Sequence, residues 1–324
     1  MLRYVLRRLA WAIPTLIFVT FLVYIALRIG ADPVASYKRI NPRATKAKIA
    51  QYIEVNGLDP NYVRGYFRWL GNFVTLDWPR SIKGSREVWP QLKDALANTI
   101  RLGVAASSVG IVIGLGLGVF AALRPGGRRD VAVNTAAFVG ISIPPYVSAI
   151  LFQLVFAVYW SRWFGSTLFP TSGVYPPGQM GFDLGLMIKH MVLPTFVVAI
   201  QIIAVYSRYM RSSLLDVLSS EYMRTARSKG ISEARVLFRH GLRNALIPVV
   251  TIAALDVGAI VGGLIITENV FSYPGMGKYF LSAFGEGDFP LLMPWMVLIV
   301  ASTLFFNLLA DISYAWLDPR IRLG

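Results

Sequence analysis

The sequence predicts an all-α polytopic membrane protein of six transmembrane helices, and three observations predict it. Of 324 residues, 55% are apolar and only 15% charged, against roughly 45–50% and about 25% in soluble domains. The mean hydropathy is +0.55. The apolar residues also gather into six stretches, each near the ~20 residues needed to cross a hydrocarbon core of about 30 Å. A surface so poor in charge faces lipid. The net charge of +15 is a nucleic-acid footprint only where it lines a groove. Here the basic residues abut apolar runs, which is the topology pattern of a membrane protein, so no nucleic-acid partner is expected.

The first stretch, 9–27, follows Arg3, Arg7 and Arg8 and ends in Arg28. It is longer than the roughly 7–15-residue apolar region of a cleaved leader, so residues 1–30 read as a cytoplasmic N-terminus and an uncleaved anchor helix. Residues 31–95 are too polar for lipid and too aromatic for disorder, with Tyr52, Tyr66, Trp69 and Trp78 among them. They predict a small extracytoplasmic cap between helices 1 and 2. Helical patterns run over 45–55 and 61–74, with turns at Asp59-Pro60 and Trp78-Pro79.

Residues 96–316 predict a five-helix core. Its first span, 98–123, carries Gly114 and Gly118, a small-xxx-small pair that lets helices approach closely in lipid. The next, 131–160, is broken at Pro144-Pro145, which predicts a kink able to move with transport. The spans 187–206, 245–267 and 291–316 follow, and a Pro- and Gly-rich structured loop occupies 161–186. Residues 317–324 are the C-terminus.

Orientation follows from lysine and arginine. Eight basic residues lie between Arg208 and Arg243, and others flank 124–130 and both termini. Residues 31–94 hold eleven, but a segment longer than about 60 residues translocates largely regardless of charge. Both termini are therefore expected inside, in a multi-pass protein of a plasma membrane. The absence of cysteine removes thiolate metal sites, and His190 and His240 lie far apart, so no metal site is predicted. Asp256 stands in the middle of a span beside glycines. A carboxylate at that depth is functional by default: it lines the pathway, with Gln201, or attracts a substrate amino terminus, or it forms a structural pair with a polar residue such as that glutamine.

The most informative stretch is SSEYMRTARSKGISEARVLFRHGLRNALIP, 219–248, within the inside loop 212–244. It reads as helix, turn, helix. Ser220 and Ser232 are candidate N-caps with Glu221 and Glu233 against the positive helix ends. Gly230 is a natural C′ residue, and Ile231 with Val236 fits a hydrophobic staple. Arg235, Arg239 and Arg243 form a basic stripe. A two-helix element of this kind docks a protein or lies on anionic lipid, and the glycine turn with small Ala226 favours a protein socket.

This loop resembles the EAA loop of ABC-importer permeases, whose pattern is Glu-Ala-Ala, three residues, Gly, nine residues, then Ile-x-Leu-Pro. Aligned on Gly230, the chain has Arg224-Thr225-Ala226 and then His240-Gly-Leu-Arg243, so Ala226, Gly230 and Leu242 match while Arg224 and Arg243 depart. The variant found here resembles the peptide-importer branch, as do SSLLDVLSSEY before it, TENVFSYPGMGKYF (267–280) and NLLADISYAWLDPRIRLG (307–324). The resemblance implies a type I importer fold and the B-type permease of a dipeptide/oligopeptide importer. It further implies a second homologous permease, two ATPase subunits or one fused ATPase, and an extracytoplasmic peptide-binding protein. Glu221, Tyr222, Arg224, Thr225, Ala226, Lys229 and Gly230 would couple the chain to the ATPase.

The chain has no GxxxxGK[ST] pattern, so it is expected to bind no cofactor and to be no enzyme, with ATP and Mg on partner subunits. A nickel- or glutathione-type importer permease shares this branch. A secondary transporter is the competing class, and would show a repeated half and coupling-ion residues. No repeat is evident. A structural scaffold would leave the loop unexplained.

Overall fold

The computed structural model describes residues 2–83, 87–179, 181–230, 232–261 and 264–317. Every regular element among them is helical. Among the described residues, five segments are long and apolar enough to cross a membrane: Leu6–Gly30, Val88–Ala122, Pro145–Phe164, Leu184–Leu218 and Phe289–Leu309.

Helix α1 (Leu2–Gly30) leads into three short helices. In α2 (Pro33–Ile40), Asp32 accepts from Ala35 N at 3.0 Å and Pro33 occupies the first turn, a position that needs no N–H. Thr45 caps α3 (Lys46–Val55) and Asn61 caps α4 (Tyr62–Val74), each side chain accepting an amide of the first turn. The patterns expected over 45–55 and 61–74 are thus helices with their caps in place, while α2 is additional. The three pack on the bundle through Tyr52, Leu58, Tyr66 and Trp69, which share a core with Tyr24 and Leu27 of α1 and with Phe289, Leu292 and Met293 of a later helix.

Helices α5 (Val88–Ala122) and α9 (Leu184–Leu218) form the central pair. Their seam is built from glycine: a Cβ on Gly110 would stand 2.6 Å from Ile202 Cβ, and one on Gly118 2.6 Å from the Ser207 carbonyl. The small-residue spacing predicted this close approach. Both helices exceed their expected spans. At about 1.5 Å per residue, a 35-residue helix is longer than the hydrocarbon core, so α9 protrudes at the loop end. Between them run α6 (Arg128–Ser142), α7 (Pro145–Gln153), a π-helical stretch Leu154–Tyr159 and α8 (Trp160–Phe164).

Beyond α9 come α10 (Glu221–Ser228), α11 (Glu233–Arg235), a second π-helical stretch Val236–Leu242 and α12 (Arg243–Val261). The span expected over 245–267 is shorter in the structure. After α12 ends, Leu264 is non-helical (φ −90°, ψ 61°) and α13 (Ile265–Val270) is a separate helix. Gly262 and Gly263 lie outside the described residues.

Glu268 anchors α13 beyond the break. Its buried carboxylate accepts from Thr99 Oγ1 at 2.6 Å, Gly277 N at 2.6 Å and Lys278 N at 3.2 Å, while Met276 N donates to Thr99 Oγ1 at 2.7 Å. These are the orphan amides of α14 (Met276–Glu286), a favourable place for an anion. A Cβ at Gly275 would lie 2.4 Å from that carboxylate, which is why the stretch reads Pro-Gly-Met-Gly. Residues 267–277 therefore close a clasp on α5 instead of continuing a span. Helix α15 (Phe289–Leu317) completes the bundle against α1 and α12.

Candidate functional site: a projecting loop and a polar cavity

Helix α9 stops at Leu218, and after Ser219 and Ser220 the next helix, α10, begins at Glu221. Met223 and Ala226 are buried and pack with Val236, Val217 and Leu218. Gly241 sits close enough that a Cβ would be 3.3 Å from Met223 Cε. The opposite face exposes Glu221, Tyr222, Arg224, Thr225 and Lys229. Of the seven predicted coupling residues, six are exposed. The seventh, Ala226, lies in the loop's own small core and seats α10 on the following turn.

Gly230 has φ +74°, and a Cβ there would meet nothing within 4 Å. The glycine is required by the left-handed backbone and not by crowding. Ser220 and Ser232 occupy the N-cap positions, but neither side chain makes a capping hydrogen bond. Ser220 Oγ donates instead to Val217 O at 2.5 Å, because the free carbonyls at the end of α9 compete for it. The staple expected from Ile231 lies outside the described residues. Arg224 pairs with Glu221 at 3.0 Å, and Arg227 with Glu233 at 3.1 Å across the turn. Arg235, Arg239 and Arg243 are all exposed, as the stripe predicted.

Two links tie this loop to the bundle. The π-helical stretch continues without interruption into α12, and Asn244 Nδ2 of that helix donates to Tyr222 Oη of α10 at 3.1 Å. Ser213 Oγ of α9 donates to Ala245 O at 2.8 Å. Nearby, Arg211 of α9 grips buried Asp130 at the start of α6 through Nε (2.5 Å) and Nη2 (2.7 Å), and Gly126 N donates to the same carboxylate at 2.8 Å. The guanidinium and the amide hold the Asp130 carboxyl well below the usual range, at about 2. Neither Asn244 nor this pair was singled out in the sequence. Charge spacing of 81 positions carries no local signal.

Between α5, α9 and α12 lies a cavity of about 220 Å³. Asp256 opens onto it, exposed, and accepts a hydrogen bond from Tyr206 Oη at 2.7 Å. The partner of Asp256 is thus Tyr206 and not Gln201. Gln201 Nε2 donates to Gly140 O at 2.9 Å and Ile143 O at 3.1 Å, satisfying the carbonyls left free where α6 ends. That end is set by Pro144, whose ring holds Ile143 in an extended conformation (φ −82°, ψ 117°). Pro144 and Pro145 form the α6–α7 break, as expected, and neither they nor Gln201 are among the residues lining the cavity.

A bundle of long apolar helices with a two-helix loop continuous with α12 is the architecture of a membrane-embedded permease. Residues 114–323 match the family of binding-protein-dependent transport system inner membrane components. The chain is 38% identical to the oligopeptide transport system permease protein AppB of Bacillus subtilis, over 99% of this chain and 100% of that one. It is 32% identical to the dipeptide transport system permease protein DppB of Escherichia coli K12, over 99% of each. Among solved structures, the MetNI methionine ABC transporter in inward-facing form superposes with TM-score 0.55 at 17% identity, over 72% of this chain and 100% of that one. The chain belongs to the binding-protein-dependent transport inner-membrane family. It is a permease component of an ABC importer.

Proposed function

We propose that this chain is the B-type permease of a peptide importer and lines half of the pathway for short peptides. One observation carries the mechanism: the exposed face of α10 stands on a seat that continues through the π-helical stretch into α12. A push on Glu221, Tyr222, Arg224, Thr225 or Lys229 reaches a membrane helix without crossing a flexible linker. Names of full-length relatives as oligopeptide and dipeptide permeases support the cargo.

In this reading the loop end is cytoplasmic, with both termini, and receives two ATPase subunits or one fused ATPase that bind ATP and Mg. A second homologous permease supplies the other half of the pathway. The cap faces outward, toward a peptide-binding protein. The reading is tested in proteoliposomes holding the assembled complex with binding protein outside. Labelled dipeptide is expected to accumulate only when ATP is supplied on the ATPase side. Uptake by this chain alone, indifferent to ATP, sinks the proposal and favours a secondary transporter.

A further inference from the structure

The cavity between α5, α9 and α12 contains a carboxylate that makes no ion pair among the described residues. Asp256 lies well inside α12, and Gly103 and Ile202, which line the same cavity, lie near the middles of α5 and α9. Ile111, Val198 and Ile260 make the walls apolar. Among the described residues no lysine, arginine or histidine makes an ion pair with Asp256. Tyr206 Oη fills one acceptor position at 2.7 Å, while an ionised carboxylate has about four. A lone anion at membrane depth is costly and is kept where it has a task.

The missing counter-charge has a definite chemistry. Calcium or magnesium asks for about six or more oxygens, and among the described residues this cavity offers Asp256, Tyr206 and Ser107 as polar side chains, with no group of three His, Cys, Asp or Glu that could hold a metal ion. An ammonium asks for two or three acceptors, which Asp256 with either hydroxyl provides. Peptides carry such a group at their amino terminus. We infer that Asp256 and Tyr206 form a transit site for the α-ammonium of a peptide, with the apolar walls against its first side chain. Ammonium N–H groups donate to Asp256, and the Tyr206 hydroxyl keeps its share of the same carboxylate. That sharing tempers the attraction, and a transport site has to let its cargo go. The inference rests on the peptide-import reading and adds a residue-level basis for selection within the membrane.

The test compares two probes in the reconstituted complex: labelled alanyl-phenylalanine, and propionyl-phenylalanine, in which hydrogen replaces the ammonium. The binding protein contributes equally with every permease variant, so a change in the uptake ratio of the two probes reports the permease alone. Asp256→Asn is expected to narrow the wild-type preference for alanyl-phenylalanine about tenfold, the worth of one charge-assisted hydrogen bond. Asp256→Glu, which keeps the charge, is expected to retain most of it. An unchanged ratio in Asp256→Asn overturns the inference and leaves the peptide reading intact. Wild-type complex that imports neither probe overturns both. If Asp256→Asn fails to assemble with its ATPase, Tyr206→Phe serves: with the competing donor gone the preference is expected to widen about threefold, on the order of one neutral hydrogen bond. An unmoved ratio there counts equally against the site.

Discussion

Single residues in this protein do different work under the same letter, and glycine is the clearest case. At Gly230 the backbone is left-handed and the space around it is empty. Gly230→Val therefore strains the turn by about 1–2 kcal/mol without touching the bundle. The expected result is normal insertion and assembly with a clear fall in peptide imported per ATP hydrolysed. Coupling equal to wild type would remove the turn from the transmission path. At Gly118 the backbone is ordinary helix, but a side chain meets Ser207 O and Met210 Cβ within 2.7 Å. Gly118→Ala is expected to force α5 from α9 and lower bundle stability by about 1–3 kcal/mol, read as a lower melting temperature in detergent. A neutral result would mean the two helices are not held at this distance.

Elements follow from local rules only where nothing nearby competes. Thr45 and Asn61 cap their helices as their residue types predict, because each stands in an open turn. Ser220 sits at the same kind of position and does not cap, since the end of α9 lies two residues away with carbonyls to satisfy. The π-helical stretch 236–242 has no signature of its own. It lies where α11 runs into α12, with Val236 and Gly241 buried beneath α10. That rod is expected to matter as a unit. Asn244→Ala removes its hydrogen bond to Tyr222, worth about 0.5–1.5 kcal/mol, and should loosen α10 from α12. Reduced import at unchanged ATPase binding is the expected outcome, and wild-type import would show that the π-helical junction alone carries the motion.

At the scale of the whole molecule, a buried carboxylate reinforces the apolar contact between residues 31–83 and the helical bundle. Asp288 accepts from Ser81 Oγ at 2.5 Å and Ile82 N at 3.2 Å, joining the end of the cap to the start of α15. Burial pushes its carboxyl up to about 6, above the roughly 3.9 of an unfolded chain. The folded state thus favours the proton. Its contribution to stability is complete below about pH 3.9 and is lost as pH rises through about 6. Wild-type protein is expected to melt at a higher temperature at pH 5 than at pH 7.5, and Asp288→Asn to lose that part of the difference. Identical pH profiles would place the joint elsewhere. Asp130 runs the other way: held ionised by Arg211, it supports the fold above about pH 3.9 and is lost as pH falls through about 2.

Hydropathy, charge bias and glycine spacing are properties of local sequence, and so the membrane bundle, the helices over 45–55 and 61–74, the α5–α9 seam and the two-helix loop after α9 were legible from it. The helix–turn–helix of residues 221–242 was legible because its turn needs Gly230 whatever surrounds it. What only the tertiary structure decided are the partnerships between distant residues: Asp256 with Tyr206, Gln201 with the end of α6, Glu268 with α14, Arg211 with Asp130. Each depends on which helix faces sit against each other, and that is settled by packing over the whole bundle. The stretch 245–267 shows the consequence. Its apolar run predicts one helix to 267, but Leu264 is non-helical and Glu268, on the separate helix α13, is held in the clasp by the amides of α14.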